Sequence, residues 1–352
     1  MIRFTNDYSE GAHPKILEKL LATNMEQTPG YGEDVYCQQA ASLIKEKCKN
    51  DNIDVHFLVG GTQTNLTVIA ASLRPHQGVI AAESGHISTH ETGAIEATGH
   101  KVLELPTYDG KLTARQIYDV YINHQLDETH EHTVQPKMVY ISNPTELGTI
   151  YTRSELEAIS NVCRENGLYL FLDGARLGYG LTSSENDMDL AFITECCDVF
   201  YIGGTKIGAL FGEAVVITND TLKQDFRYIM KQRGGLLAKG RLLGIQFLTL
   251  FENDLYFELS AYANKMANII KEALQESGCT FLISTSTNQL FPILPNETIE
   301  ALKKHYSFLT WQRIDDKHSA VRFCTSWATK EEDVLRLISD LKGYYDCYDL
   351  KR

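Results

Sequence analysis

The sequence is poor in the features that staple a chain, anchor it or carry it to an anionic partner. Its eight cysteines, Cys37, Cys48, Cys163, Cys196, Cys197, Cys279, Cys324 and Cys347, are scattered along 352 residues and form no Cys-x-x-Cys pair. That spacing argues against a disulfide framework or a zinc knuckle and suits a reducing compartment, so a cytoplasmic protein is expected. No apolar run approaches the length of a membrane span, and the opening Met1-Ile2-Arg3-Phe4-Thr5-Asn6-Asp7 lacks the apolar core of a signal peptide. Positive charge is in short supply. Lys and Arg number 33 against 46 Asp and Glu, a net charge of −13. Such a surface repels phosphate backbones and anionic bilayers, so neither nucleic acid nor a membrane is expected as a partner. A small anionic ligand stays open, because a site can be locally basic. Internal repeats, low-complexity tracts, a Walker loop and the dinucleotide glycine pattern are all missing.

What is present is an ordinary globular composition, 43% hydrophobic and 22% charged, on a chain long enough for two domains. Short apolar runs at Val55–Val59, Val79–Ala82, Val102–Leu105, Met138–Ser142, Tyr169–Leu172, Val199–Gly203 and Ala214–Thr218 read as strands. Amphipathic stretches between them, such as Thr62–Leu73, Ala114–His124 and Arg153–Glu165, read as helices. This alternation predicts an α/β fold: a large domain with a mainly parallel seven-stranded sheet flanked by helices. Two helical segments precede the first strand, the earlier starting at Pro14. Long helices are expected from Lys239 to Ser277, then two or three strands and further helices. The boundaries predicted are residues 1–238 for the large domain, and 239–352 for the long helices and a smaller C-terminal α/β domain.

Three segments carry chemistry. Leu170-Phe171-Leu172-Asp173-Gly174-Ala175-Arg176 ends an apolar strand in a carboxylate. Ligands bind at the carboxyl ends of strands in open parallel sheets. There Asp173 suits a cationic ring nitrogen, and Arg176 can clamp a carboxylate bidentately; a turn cap and a surface charge are the plainer readings. Val199-Phe200-Tyr201-Ile202-Gly203-Gly204-Thr205-Lys206 places a lysine just past the next strand. Desolvation there lowers its pKa and makes the amine a nucleophile towards carbonyls. Val59-Gly60-Gly61-Thr62-Gln63-Thr64-Asn65 is a strand-to-helix junction whose glycines and free amides suit an anion, although a Gly-Gly turn is often only a turn.

Together, Gly61-Thr62-Gln63-Thr64-Asn65, Asp173-Gly174-Ala175-Arg176, Thr205-Lys206 and Gly32-Glu33-Asp34-Val35-Tyr36 resemble the fold-type I pyridoxal phosphate (PLP) enzymes. The closest likeness is to the threonine aldolase and β-eliminating lyase group. The resemblance covers nearly the whole chain. It implies that Lys206 carries PLP as a Schiff base, that Asp173 pairs with its ring nitrogen, and that Gly61 and Thr62 bind its phosphate. His86 would stack on the ring, and Thr205 would belong to the cofactor site. Arg176 and Arg322 would hold the substrate carboxylate, and Tyr36 would serve an active site near a subunit junction. It also implies a small amino acid as substrate and a homodimer or homotetramer.

The match breaks in places. Asn6 stands where the aldolases have Ser; it can still donate to a carboxylate. In Ser142-Asn143-Pro144-Thr145-Glu146-Leu147-Gly148, Glu146 stands at the position of the aldolase His, and Asn143 resembles an aminotransferase residue that contacts the cofactor hydroxyl. Glu146 is then either the base for a β-hydroxyl proton or a residue bonded to backbone in its own turn. Tyr36 has simple packing as its alternative. His86 has a structural role, or a metal shared with His90, as its alternatives, and no metal is expected. Lys239 and Arg241 are candidates for a phosphate contact from a neighbouring subunit. The function expected is retro-aldol cleavage of a β-hydroxy-α-amino acid. The alternatives are β-elimination or transamination at the Cα–H bond, with Lys206 as proton carrier, and PLP binding without turnover.

Overall fold

The structure is a computed structural model and describes residues 1–349, with side chains described as far as Tyr344. Among the described residues, thirteen strands run in chain order: β1 (Ile2–Arg3), β2 (Asp54–Leu58), β3 (Gln77–Ala82), β4 (Val102–Leu105), β5 (Gln135–Ser142), β6 (Tyr169–Asp173), β7 (Val199–Gly203), β8 (Glu213–Ile217), β9 (Gln289–Leu290), β10 (Ile293–Pro295), β11 (Tyr306–Ser307), β12 (Leu309–Arg313) and β13 (His318–Cys324). Seven of them form the large sheet in the order β2-β8-β7-β6-β5-β3-β4. β8 pairs antiparallel with both β2 and β7, and every other pair is parallel. Six strands therefore end at one edge of the sheet, and β8 begins there.

Both faces of this sheet are covered, as unbroken apolar strands require. Side chains alternate between faces. Val139, Ile141, Leu170, Leu172, Phe200 and Ile202 join one core. Tyr140, Phe171 and Tyr201 join the other, with Val68 and Ile69 of the helix Gly61–Ser72. Helix starts follow local chemistry. Pro14 opens the first helix, and Thr113 with Gln116 and Thr152 with Glu155 form capping boxes. The observed helices Ala114–Leu126 and Arg153–Glu165 lie where periodicity put them.

A second group of strands, β10-β13-β12 with β9 on β13, packs with the helices Asn296–Leu302 and Glu331–Asp349. Two elements sit differently from the sequence expectation. β1 pairs with β11 and Phe4 lies in the C-terminal core, so the first residues join the smaller unit. The helix Arg241–Phe251 packs on Val35–Cys48 and buries Leu243, Phe247 and Leu250 in the large core. Its all-round apolar surface is what such burial demands. Seven cysteines are buried, and Cys347 lies outside the residues whose side chains are described. Among the described residues, no helix is long and apolar enough to cross a membrane.

Candidate active site

The edge where six strands end gathers the sequence-predicted residues. Asp173 closes β6 on the same face as Phe171, towards the helix Gly61–Ser72. It is buried, and three donors hold it: Ala175 N–H to Oδ1 at 2.9 Å, Asn65 Nδ2 to Oδ2 at 3.2 Å, and the Tyr140 hydroxyl to Oδ2. Burial first, and then the Asp173 charge, push the Tyr140 phenol well up, so it stays a donor.

The Lys206 loop is pinned beside it. Gly203 N–H donates to Gly174 O at 2.9 Å, Gly204 N–H to Gly212 O at 2.9 Å, and the Tyr179 hydroxyl to Lys206 O at 2.5 Å. The ends of β6 and β7 come too close for side chains. A Cβ on Gly174 would stand 1.9 Å from Tyr201 O, and one on Gly203 would stand 2.3 Å from Ala175 O. Glycine at both positions brings Asp173 and Lys206 together. Burial, then the Arg176 charge, lower the proton affinity of the Lys206 amine against the opposing charges of Asp7, Asp173 and Glu213. That is the setting of a nucleophilic lysine.

On the other flank, His86 begins a short helix after β3. Its Nδ1 lies 2.8 Å from Glu91 Oε1, and that oxygen also accepts from Asn65 Nδ2 at 2.6 Å. Asn65 thus bridges Glu91 and Asp173. Burial opposes charge on the His86 ring, but the Glu91 hydrogen bond and the Asp173 charge outweigh it and raise its pKa. Glu146 Oε1 accepts from His86 N–H at 2.9 Å and Ser142 Oγ at 2.8 Å. The carboxyl therefore ties β5 to the His86 helix. Desolvation, then the Asp173 charge, raise it above the usual carboxylate range, against the Ser142 bond.

Arg176 forms a two-pronged ion pair with Asp7, Nε to Oδ2 at 2.7 Å and Nη2 to Oδ1 at 2.9 Å. Asn288 Nδ2, from the smaller unit, adds a bond to Asp7 Oδ2 at 2.9 Å. Burial alone would raise the Asp7 carboxyl; the Arg176 and Lys206 charges hold it below its ordinary value. Arg322 donates through Nη2 to Thr5 O at 2.9 Å, lies over the Trp311 ring, and has a buried Nε with no hydrogen-bond partner. Asn143 is buried, with Oδ1 accepting from Tyr151 N–H at 3.1 Å and its own N–H donating to Asp173 O at 3.0 Å. The amides of Gly61 and Thr62 open the helix that follows β2 at this edge.

The other expected residues make contacts of their own within the chain. The Thr205 hydroxyl donates to Glu213 Oε1 and accepts from Gly212 N–H. Asn6 closes a turn, its Oδ1 accepting from Tyr8 N–H and Ser9 Oγ; the adjacent Asp7 is the one that meets Arg176. The Tyr36 hydroxyl donates to Glu26, and that bond raises its pKa. Arg241 holds Thr23 O and Glu26 O, and Lys239 is exposed. Among the described residues, no group of three or more His, Cys, Asp or Glu is placed to hold a metal ion. Sequence reasoning missed Asp7, Asn65, Glu91, Tyr140 and Glu213. Asn65 and Tyr140 left a readable trace, since each is polar at a position the periodicity makes buried.

The beta-eliminating lyase family model matches residues 6–296. The low specificity L-threonine aldolase of Pseudomonas aeruginosa is 30% identical over 352 residues, 97% of each chain. That of Saccharomyces cerevisiae is 27% identical over 266 residues, 74% of this chain and 66% of its own. The solved threonine aldolase of Leishmania major is 50% identical, covering 98% of this chain and 100% of that one, with a TM-score of 0.95. An aspartate aminotransferase of Thermus thermophilus, 14% identical with a TM-score of 0.69 over 97% of this chain and 91% of that one, shares the fold alone.

Proposed function

The chain belongs to the beta-eliminating lyase family, and on that footing we propose that it is a PLP-dependent carbon–carbon lyase of the threonine aldolase kind. It cleaves a β-hydroxy-α-amino acid to glycine and an aldehyde. The observation that carries the reading is the junction of β6 and β7, where two glycines bring Asp173 beside a lysine of lowered proton affinity.

The residues at this edge suit PLP. A nucleophilic amine, a buried carboxylate and the amides of a helix start match an aldehyde, a ring nitrogen and a phosphate in turn. Buried polar atoms without a hydrogen-bond partner cluster here as well: Thr64 Oγ1, Asn65 Oδ1 and Glu91 Oε2. Lys206 would hold the aldehyde carbon, Asp173 the ring nitrogen, and the Gly61 and Thr62 amides the phosphate. His86 would lie against the ring. When bound, the group supplies an electron sink for negative charge at the substrate α-carbon.

The protein's own residues do the rest. Arg322, and Arg176 through the Nη1 that Asp7 leaves free, would orient the substrate carboxylate. Glu146 would take the β-hydroxyl proton; burial and the Asp173 charge raise its proton affinity, which makes it a stronger base. Asn65 and Glu91 would fix the tilt of His86.

The enzyme is read as a homodimer or homotetramer. Leu21 and Met25 are 79% and 88% exposed beside the Tyr36–Glu26 pair, an apolar surface suited to a second copy. Tyr36 would then serve the neighbouring site. The buried thiols of Cys37, Cys48, Cys163, Cys196, Cys197 and Cys324 are free, which supports a reducing, cytoplasmic setting.

The test is direct. Borohydride reduction of PLP-loaded protein should fix the pyridoxyl group on Lys206, read by peptide mass. Threonine or allo-threonine should yield glycine and acetaldehyde. A label on another lysine sinks the site assignment, and pyruvate from serine without either cleavage sinks the aldolase reading.

A further inference from the structure

Because β8 runs against its neighbours, its first residue stands at the edge where the others end. That residue is Glu213, opposite Gly203 on one side and Leu58 on the other. By strand alternation its side chain lies on the face of Val215, and the residue is only 4% exposed. Oε1 accepts from Thr205 Oγ1 at 2.9 Å, and Oε2 is buried with no hydrogen-bond partner. Gly212 N–H donates to the same Thr205 oxygen at 3.0 Å, so the hydroxyl is held from both sides.

Lys206 and Asp173 face this carboxyl, with the phenols of Tyr201 and Tyr256. Leu243 and Phe247 pack against Gly212 from the helix Arg241–Phe251. The helix Gly61–Ser72 carries no charged residue. A neutral side chain would hold Thr205 equally well, and a buried acid without a bonded counter-ion is costly. What a carboxyl adds to a neutral side chain here is a charge that can appear as pH rises, facing Lys206.

We propose that Glu213 is a positioning residue for Lys206. It fixes the lysine loop through Thr205 and supplies a negative charge that sets how tightly the lysine nitrogen holds its proton. The proposal rests on Lys206 being the cofactor lysine. Burial drives the Glu213 carboxyl up to about 8, with the Lys206 charge opposing. Its charge therefore appears as pH rises through that value, and strengthens proton retention at Lys206 there.

The experiment follows the absorbance of PLP-loaded protein against pH in wild type, Glu213→Gln and Glu213→Asp. Glu213→Gln should lower the midpoint by on the order of one pH unit, and Glu213→Asp should stay near wild type. An unchanged midpoint in Glu213→Gln, with the borohydride label on Lys206, overturns the proposal. Loss of that label from wild type instead overturns the cofactor assignment. If Glu213→Gln does not fold, Glu213→Ser gives the same neutral comparison, and an unchanged midpoint there is equally fatal.

Discussion

Arg176 holds Asp7 with both Nε and Nη2, at 2.7 and 2.9 Å, on the site where an amino-acid carboxylate is expected. The pair is buried, so removing one partner strands the other. Asp7→Asn should cost about 3 kcal/mol in urea unfolding. The folded Asp7 pKa is depressed, so its contribution is complete above about pH 4 and lost as pH falls through the lowered value. Unfolding measured across that range should show an acid-side loss in wild type that is reduced in Asp7→Asn.

Glu146→Gln keeps the shape and removes the proton acceptor. Turnover of threonine should drop roughly a hundredfold while PLP stays bound. Because the Glu146 pKa is raised, the acid limb of the wild-type kcat profile should lie above the usual carboxylate range. The limb should vanish in the variant. Equal turnover in the two proteins rejects Glu146 as the base.

Glu91→Gln tests the His86 contact. The His86 pKa is raised in the fold, so the gain from the Glu91 pair is present below about pH 6.5 and disappears as pH rises through the folded value. Ring proton resonances should titrate above the ordinary histidine value in wild type and lower in the variant. Coincident curves would mean that Glu91 does not set the charge of His86.

Gly174→Ala tests the close approach of β6 and β7. The added methyl would meet Tyr201 O at 1.9 Å, so the strand ends must part. A loss of about 3 kcal/mol is expected from such overpacking, together with a weaker borohydride label on Lys206. A stable variant with full labelling would show that the approach is not needed.

The legible parts of this protein are local ones. Asp173 and Lys206 could be read because each follows its own apolar strand, and strand–helix alternation then fixes which edge they share. Arg153–Glu165 could be read because a capping box and a 3.6-residue period coincide. Asp7 could not, since its partners Arg176 and Asn288 lie 169 and 281 positions away. β1 was invisible for the same reason: two residues carry no period, and their pairing partner is Tyr306–Ser307. Glu213 precedes the apolar run Ala214–Thr218, and nothing local marks it as buried. Its burial depends on β8 lying between β2 and β7, an order that strand patterns do not reveal.

The hairpin of β7 and β8 also bears on the order in which the site is assembled. Lys206, Thr205 and Glu213 are neighbours in sequence, and short-range contacts close early. They can meet once β8 has left the ribosome. The Asp7 clamp must wait until Asn288 has been made. The lysine loop should therefore acquire protection in pulsed hydrogen exchange before the amino-terminal segment does, and a chain stalled beyond Ile217 but short of Asn288 should have the lysine pocket without its finished carboxylate clamp.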